Sequence, residues 1–273
     1  MNTMTNPPFV LTIAGNEATG GAGAQADLKT FQALGVFGSL ALTCIVSFDP
    51  KNDWGHRFMP VPAQTIHDQL EAAHAAYNLD AVKIGMLGTP ETIETVAKFL
   101  KENKPKNLVL DPVLICKGQE PGAALDTDNA LKEHILPLAT FITPNHFESL
   151  SLSGMEKIEN VDDLVQAAKL IHEKSGAAVL AKGSIRLDGD NAIDVFYDGE
   201  ILEILETPKV GEGAVVAGAG CSLAAAIAAE LAKGAAPVDA ARRAKEFVTE
   251  GIRQRVEGNT PFAALWQGGL RQG

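Results

Sequence analysis

Residues 9–35 read FVLTIAGNEATGGAGAQADLKTFQALG, and this stretch predicts the fold class. The apolar run 9–14 predicts a buried strand, and 25–34 predicts a helix that ends near Gly35. A glycine-rich loop, 15–23, joins the two. A strand followed by a helix of about ten residues is the unit from which parallel sheets are built.

The same alternation continues along the chain. The further predicted strands are 40–46, 81–84, 108–110, 141–142 and 178–181, followed by a hairpin of 192–197 and 201–205. The further predicted helices are 65–77, 92–102, 162–174, 221–232 and 237–255. Strands that alternate with long helices indicate βαβ crossovers, so we expect an α/β protein with a mostly parallel sheet. No linker or repeat divides the chain, which predicts a single domain over 1–273.

The composition narrows the function classes. The chain has 273 residues, is 46% hydrophobic and carries a net charge of −11. An acidic surface disfavours nucleic-acid binding, and the absence of a long apolar run predicts no membrane span. The N-terminus lacks the pattern of a signal peptide. Three widely spaced cysteines without a CxxC pair fit a reducing compartment, so we expect a cytoplasmic protein.

The segment GAGC at 218–221 is the first candidate for chemistry. Gly218, Ala219 and Gly220 precede an alanine-rich helix, where bare N–H groups at the positive end of the helix dipole can bind an anion. Cys221 lies in the first turn, where a thiol pKa falls, so a thiolate there could take a proton from a substrate hydroxyl. Taken alone, the segment is equally consistent with a flexible turn into a buried helix.

Polar residues at other strand ends are the next candidates. In TPNHFE at 143–148, Asn145 and Glu148 are three residues apart and could hold Mg²⁺ through its waters. The same pair could be a helix cap, because Asn and Glu at this spacing form a capping box. Asp111 follows a strand and could add charge near the metal, and Lys182 ends a strand and could pair with a nucleotide phosphate. For both, an ordinary turn or surface role remains open.

A second function class is suggested by the first loop. Gly21, Gly23 and Ala26 match the G-x-G-x-x-A pattern of dinucleotide-binding proteins, and Asp49 ends the next strand. Six residues separate Ala14 from the first of these glycines, whereas the pattern places that glycine at the strand end. An NAD-dependent oxidoreductase is therefore the alternative, and a non-catalytic binding module is a third.

Taken together, the motifs resemble one family. The segments FVLTIAGNEATGGAGAQADLKTFQALGVFG, AVKIGMLGTPE, LVLDPVLICKG, LPLATFITPNHFE, VLAKGS and GAGCSLAAAIAAELAKG occur in this order in the hydroxymethylpyrimidine (phosphate) kinase and pyridoxal kinase group of the ribokinase-like superfamily. The resemblance spans roughly 9–255. It implies a three-layer α/β/α sandwich, a homodimer, and an ATP- and Mg²⁺-dependent transfer to a primary alcohol on a pyridine or pyrimidine.

The resemblance also implies roles for single residues. The anion hole would be Gly218, Ala219 and Gly220, with Cys221 as the base. Mg²⁺ would be organised by Asn145 and Glu148, with Asp111 near the metal and Lys182 near the nucleotide phosphates. The substrate pocket would be shaped by Gly15, Ala22, Phe48, Met86 and Val113.

One departure from the family pattern bears on the substrate. Phe48-Asp49 stands where hydroxymethylpyrimidine kinases usually carry Gln-Asn. A phenyl ring cannot bind the polar edge of a pyrimidine but can pack on a pyridine ring, which favours pyridoxal, pyridoxine and pyridoxamine. The stretches around Phe48 and Cys116 resemble the pyrimidine-kinase-like pyridoxal kinases of Gram-positive bacteria. Cys116 corresponds to their lid cysteine, and its thiol could add to the aldehyde of pyridoxal.

Two further departures lie beside the proposed phosphate site. Asn16-Glu17 stands where the family usually has Ser-Asp, and Val216-Ala217 stands where it has Asn/Thr-His before the glycines. The second change removes polar groups and could weaken nucleotide binding or shift the preferred substrate.

Overall fold

The computed structural model describes residues 6–114, 121–211, 213 and 215–269. In this part of the chain, the main sheet contains β1 (Phe9–Glu17), β2 (Phe37–Asp49), β3 (Gly55–Pro60), β4 (Ala81–Ile84), β5 (Leu108–Leu110), β6 (Phe141–Ile142), β7 (Ala178–Ser184), β8 (Asn191–Tyr197) and β9 (Leu202–Pro208). The strand order is β3-β2-β1-β4-β5-β6-β7-β8-β9. The pairs from β2 to β7 are parallel, whereas β3, β8 and β9 pair antiparallel at the two edges.

Helices cover both faces of the sheet. They are α1 (Gly23–Ala33), α2 (Ala63–Ala76), α3 (Pro90–Asn103), α4 (Pro121–His134), α5 (His146–Ser153), α6 (Val161–Ser175), α7 (Ala219–Ala232) and α8 (Pro237–Arg253), with a 3₁₀ turn at Leu136–Leu138. A small parallel ladder joins β10 (Val216–Ala217) to β11 (Ala263–Ala264). No helix in the described ranges is long and apolar enough to cross a bilayer.

Successive strand residues point to opposite faces, so the sheet separates two apolar cores. Leu11 of β1 belongs to the core with α2, α3 and α6, whereas its neighbour Val10 belongs to the core with α1, α7 and α8. Helix α7 is buried along nearly its whole length because alanine lets it pack closely on the sheet. The predicted three-layer α/β/α sandwich with a mostly parallel sheet is confirmed.

Strands β3, β10 and β11 and helices α4 and α5 were not predicted from the sequence. Strand β3 is an edge strand with a weak apolar pattern, and its Met59 is 65% exposed. Helix α4 contains few regularly spaced apolar residues because much of its surface faces solvent. Strands β1 and β2 also run further than predicted, to Glu17 and Asp49, which carries both toward the edge of the sheet where the candidate site lies.

Candidate active site

The carboxyl ends of the parallel strands place Asp111 and Lys182 side by side. Asp111 follows β5, and Lys182 lies near the end of β7. The Lys182 Nζ lies 3.2 Å from Asp111 Oδ1, and both side chains are nearly buried. The Thr143 hydroxyl donates to the same carboxylate oxygen at 3.3 Å. The fold therefore holds a buried cation and anion where ligands bind in open α/β sheets.

Asn145 and Glu148 form the helix cap that the sequence left open as an alternative. Asn145 Oδ1 accepts from the Glu148 N–H at 3.0 Å, and Glu148 Oε2 accepts from the Asn145 N–H at 2.7 Å. This capping box opens α5 and fixes the carboxylate near Lys182 and Asp111. The cap uses Oε2 of Glu148 and does not involve Oε1, so capping and metal binding are compatible.

Burial raises the pKa of Glu148 to about 7, a shift that the Asp111 charge increases and the Lys182 charge opposes. A carboxyl whose pKa is raised on folding contributes stability that is complete below its unfolded pKa and is lost as the pH rises through its folded pKa. The unliganded protein therefore carries a buried charge above pH 7.

We expect Glu148→Gln to remove this loss. With chelator present, the stability difference between Glu148→Gln and wild type should move in favour of the variant by roughly 1–3 kcal/mol from pH 5 to pH 8. Gln preserves the capping box, so helix α5 should be retained. Urea unfolding at both pH values measures the difference, in which the contributions that both proteins share cancel. A pH-independent difference would contradict the raised pKa.

Helix α7 begins directly at the glycine segment. Gly218 is its N-cap with φ of 80°, and its carbonyl accepts from the Ser222 N–H at 2.8 Å. A methyl group added at Gly218 would lie 1.9 Å from the Gly21 carbonyl oxygen, whereas one added at Gly220 would lie 3.4 Å from Lys182 Nζ. The positive end of α7 therefore lies beside the Lys182 ammonium, which is the arrangement of an anion site.

The two glycines should respond differently to alanine. Gly218→Ala combines a left-handed backbone with a clash against the main chain, so we expect it to cost roughly 3 kcal/mol or more of stability. Gly220→Ala meets no such clash and should fold normally, but its methyl group would occupy the anion space and weaken nucleotide binding. Thermal unfolding and calorimetric titration separate the two effects, and equal stability of both variants would refute this distinction.

The pKa of the Cys221 thiol differs from the value that the sequence predicts. Burial raises the pKa of its thiol to about 11, although the Lys83 charge and a hydrogen bond from the Gly23 backbone oppose the rise. The prediction of a lowered thiol pKa was wrong because desolvation outweighs the helix N-terminus at this depth. In the unliganded protein the thiol is protonated at neutral pH.

Four of the five proposed substrate-pocket residues occupy three neighbourhoods. A methyl group at Gly15 would lie 2.4 Å from Cys44 Sγ and 3.7 Å from Met86 Sδ, so Gly15 and Met86 share a sulfur-lined wall. The Ala22 Cα would lie 3.5 Å from a methyl group at Gly218. The Val113 N–H donates to the Asp111 carbonyl, which places Val113 directly after the buried carboxylate.

Phe48 belongs to an aromatic group at the β2–β3 hairpin. Its ring centroid lies 4.7 Å from that of His56, 5.0 Å from that of Phe262 and 6.3 Å from that of Trp54. Phe262 precedes β11, which pairs with β10 directly before the glycine segment. The aromatic wall and the anion site are thus connected through this ladder. Cys116 lies outside the described residues.

The two departures from the family pattern have structural roles. Glu17 accepts from the backbone N–H and the hydroxyl of Thr19, each at 2.6 Å, and from the Gly21 N–H at 3.2 Å. It therefore holds the first loop together. Val216 and Ala217 form β10, so their backbone pairing persists without the polar side chains.

A cavity of about 520 Å³ opens beside the anion site. The end beside the anion site includes Asn145, Lys182 and Gly220, and the other end includes Val248 and Ile252. This size and mixture of polar and apolar walls suit a nucleotide. A buried ion pair of 2.7 Å between Lys245 and Asp194 also lines the cavity, and it was not predicted from the sequence.

The G-x-G-x-x-A match does not have the geometry of a dinucleotide site. Gly23 has φ of 62°, and a methyl group there would lie 2.4 Å from the Gly15 carbonyl oxygen. Its N–H points to Cys221. These glycines therefore allow the first loop to pack under the glycine segment of α7.

Comparison with known proteins identifies relatives over almost the whole chain. A family model described as phosphomethylpyrimidine kinase matches residues 17–264. A pyridoxine kinase of Bacillus subtilis is 47% identical over 89% of this chain and 90% of that protein. The crystal structure of an ADP complex of Bacillus subtilis pyridoxal kinase superposes with a TM-score of 0.92 at 44% identity, covering 98% of this chain and all of that one. A Staphylococcus aureus pyridoxal kinase in complex with AMP-PCP and pyridoxal has a TM-score of 0.89 at 37% identity, covering 98% and 96%.

Proposed function

Because the chain belongs to the phosphomethylpyrimidine kinase family, we propose that it transfers the γ-phosphoryl group of ATP to the 5′-hydroxyl of pyridoxal, pyridoxine or pyridoxamine. The observation that carries this proposal is the meeting of the α7 N-terminus with the Lys182–Asp111 pair at one end of a nucleotide-sized cavity. The similar structures named as pyridoxal kinases, with ADP or with AMP-PCP and pyridoxal, support the same activity.

Different residues of the chain hold the transferring phosphoryl group and accept the proton of the substrate. The amides of 218–221 and the Lys182 ammonium hold the transferring group, whose charge spreads over its oxygens in the transition state. Cys221 takes the proton of the substrate hydroxyl as the new O–P bond forms and the bond to ADP breaks. Since its thiol pKa is about 11 without ligands, Cys221 reaches its thiolate only with the help of nearby positive charge.

The acidic end of the site suits Mg²⁺ held through water. Asp111, Asn145 and Glu148 offer oxygen ligands, the kind that Mg²⁺ prefers. Within the described ranges, no group of three or more His, Cys, Asp or Glu side chains forms a complete metal cage. Water and phosphate oxygens would therefore complete the coordination. When bound, Mg²⁺ neutralises charge on the phosphates.

A pyridine alcohol is the favoured acceptor, and hydroxymethylpyrimidine is the second candidate because of the family match. Phe48 offers a ring face rather than hydrogen bonds, which favours the pyridine. ADP release should be measured side by side on pyridoxal, pyridoxine and hydroxymethylpyrimidine. Faster turnover of hydroxymethylpyrimidine than of the pyridines would make the pyrimidine the preferred acceptor. Ligand binding without ADP release would indicate a non-catalytic paralogue. Thermal stabilisation by NAD but not by ATP–Mg²⁺ would favour the oxidoreductase alternative.

Cys116 remains a prediction from the sequence. If its thiol adds to the pyridoxal aldehyde, Cys116→Ala should slow the turnover of pyridoxal while leaving pyridoxine, which has no aldehyde, unaffected. Initial rates with the two acceptors measure this difference. Equal rates of wild type and variant on pyridoxal would refute the adduct.

We also propose that the protein is a cytoplasmic homodimer, as the resemblance implies. Exposed apolar side chains on β2 and β3, including Phe37, Ile45 and Met59, offer a surface for a second copy. Light scattering on the purified protein would report the mass, and a monomer at micromolar concentration would exclude the dimer.

A further inference from the structure

A third buried ion pair joins β4 to α1, and the proposed mechanism does not use it. Lys83 of β4 and Asp27 of α1 are both completely buried, with Nζ 2.8 Å and 3.1 Å from the two carboxylate oxygens. The Thr12 hydroxyl donates to the same carboxylate at 2.6 Å. Burying two charges is costly unless other interactions compensate, so a stabilising role alone is a weak explanation for this pair.

The strand pattern directs Lys83 toward the helix that carries Cys221. Its neighbours Val82 and Ile84 face the core with α2, α3 and α6, so Lys83 faces the layer that contains α1 and α7. Thr12 is its partner across the parallel ladder with β1. At the end of β4, a methyl group on Gly85 would lie 2.8 Å from Lys83 Nζ, so the amine reaches along the strand toward its carboxyl end.

Helix α1 links this pair to Cys221. The Gly23 backbone lowers the pKa of the Cys221 thiol, and Asp27 lies one helical turn further along the same face of α1. The charged groups that act on the thiol are Lys83 from β4, Asp111 after β5 and Asp27 from α1. Lys83 is the strongest of these, and its ammonium favours the thiolate, whereas the two carboxylates disfavour it.

We propose that Lys83, held in place by Asp27, is a positioning residue that stabilises the Cys221 thiolate during phosphoryl transfer. Lys83 lies in the sheet that α7 packs on and is completely buried, so it acts as a fixed charge in a medium of low polarity, where such a charge acts strongly. The proposal rests on the proposed function for the role of the thiolate. The electrostatic coupling between the two side chains can be tested without catalysis.

The test follows alkylation of Cys221 by iodoacetamide in the full chain between pH 7 and pH 10, quantified by peptide mass spectrometry. In Lys83→Met the unpaired Asp27 takes up a proton, so the thiol loses a neighbouring positive charge. The alkylation rate at a given pH should fall about tenfold, which corresponds to a rise of one unit in the thiol pKa. Thr12→Val is the matched control: it removes a hydrogen bond to Asp27 but keeps both charges, and should follow the wild-type profile.

A double variant, Asp27→Leu with Lys83→Met, covers the case in which Lys83→Met does not fold. Buried ion pairs replaced by apolar side chains usually retain stability, and the loss of Lys83 should still slow alkylation because its effect exceeds that of Asp27. A wild-type alkylation profile in whichever variant folds would overturn the proposal.

In turnover, the variant should lower kcat and shift its pH profile to higher pH while the KM for ATP is unchanged. If Cys221→Ala kept full activity, the base role would fail, yet the alkylation result would still decide whether Lys83 acts on Cys221.

Discussion

Replacement of Cys221 by Ala should lower kcat by about 10²–10⁴, the usual effect of losing a general base. The variant keeps the α7 amides, the Lys182–Asp111 pair and the cavity, so its affinity for an ATP analogue should stay within about threefold of wild type, well below the tenfold change that 1.4 kcal/mol would produce. A fall in kcat without a change in nucleotide affinity would mark an interaction made only in the transition state. ADP release and calorimetric titration measure the two quantities.

Cys221→Ser sharpens this test. The hydroxyl has nearly the shape of the thiol but is a far weaker acid, so the variant should turn over slowly while preserving the local packing. Normal kcat in either variant would remove Cys221 from the role of base and leave the reaction to positioning and electrostatic stabilisation alone. Because the thiol is protonated in the unliganded protein, the wild-type kcat/KM should also rise with pH above neutrality.

The sequence predicted the class of fold and most of its parts because periodicity is a local property. The run 9–14 and the Ala-rich helix 221–232 are apolar in a way that only buried elements allow, and both lie where they were expected. The strand-end rule also brought Asp111 and Lys182 together correctly. Edge strand β3 and helix α4 escaped prediction because exposed elements have no strong apolar pattern.

The ionisation states of the site residues could not be predicted from local sequence patterns. The first-turn position of Cys221 predicts a lowered thiol pKa, but the pKa depends on how deeply the tertiary structure buries the sulfur, and that depth reversed its direction. The buried Lys83–Asp27 pair also went unrecognised. A lysine inside the apolar strand AVKI, and an aspartate on the apolar face of α1, were signals that a charge lies in the interior. These two residues indicate that a buried ion pair exists, but they do not indicate which neighbouring group the pair acts on.

Replacement of Lys182 by Met should have the second large effect. Its ammonium is the cation at the phosphate end of the cavity, and although burial opposes its charge, Asp111 and Glu148 raise its pKa and keep it protonated. Without it, Asp111 and Glu148 meet the incoming phosphates with no ammonium to offset their charge. We expect kcat/KM to fall by roughly 10²–10³, the loss seen when one electrostatic contact to a transition state is removed.

The matched control for this variant is Lys132→Met. Lys132 also pairs with an aspartate, Asp128, at 3.0 Å, but on a partly exposed helix surface where an ion pair is worth about 1 kcal/mol or less. It should leave kcat/KM unchanged. Lys182→Met breaks a buried pair and should lower stability as well, so circular dichroism must confirm that it is folded at the assay temperature. Excess Mg²⁺ should restore part of the lost nucleotide affinity, because it supplies positive charge to the same carboxylates and phosphates. A folded Lys182→Met protein with wild-type kcat/KM would show that the phosphates bind elsewhere, and with them the proposed function would fail.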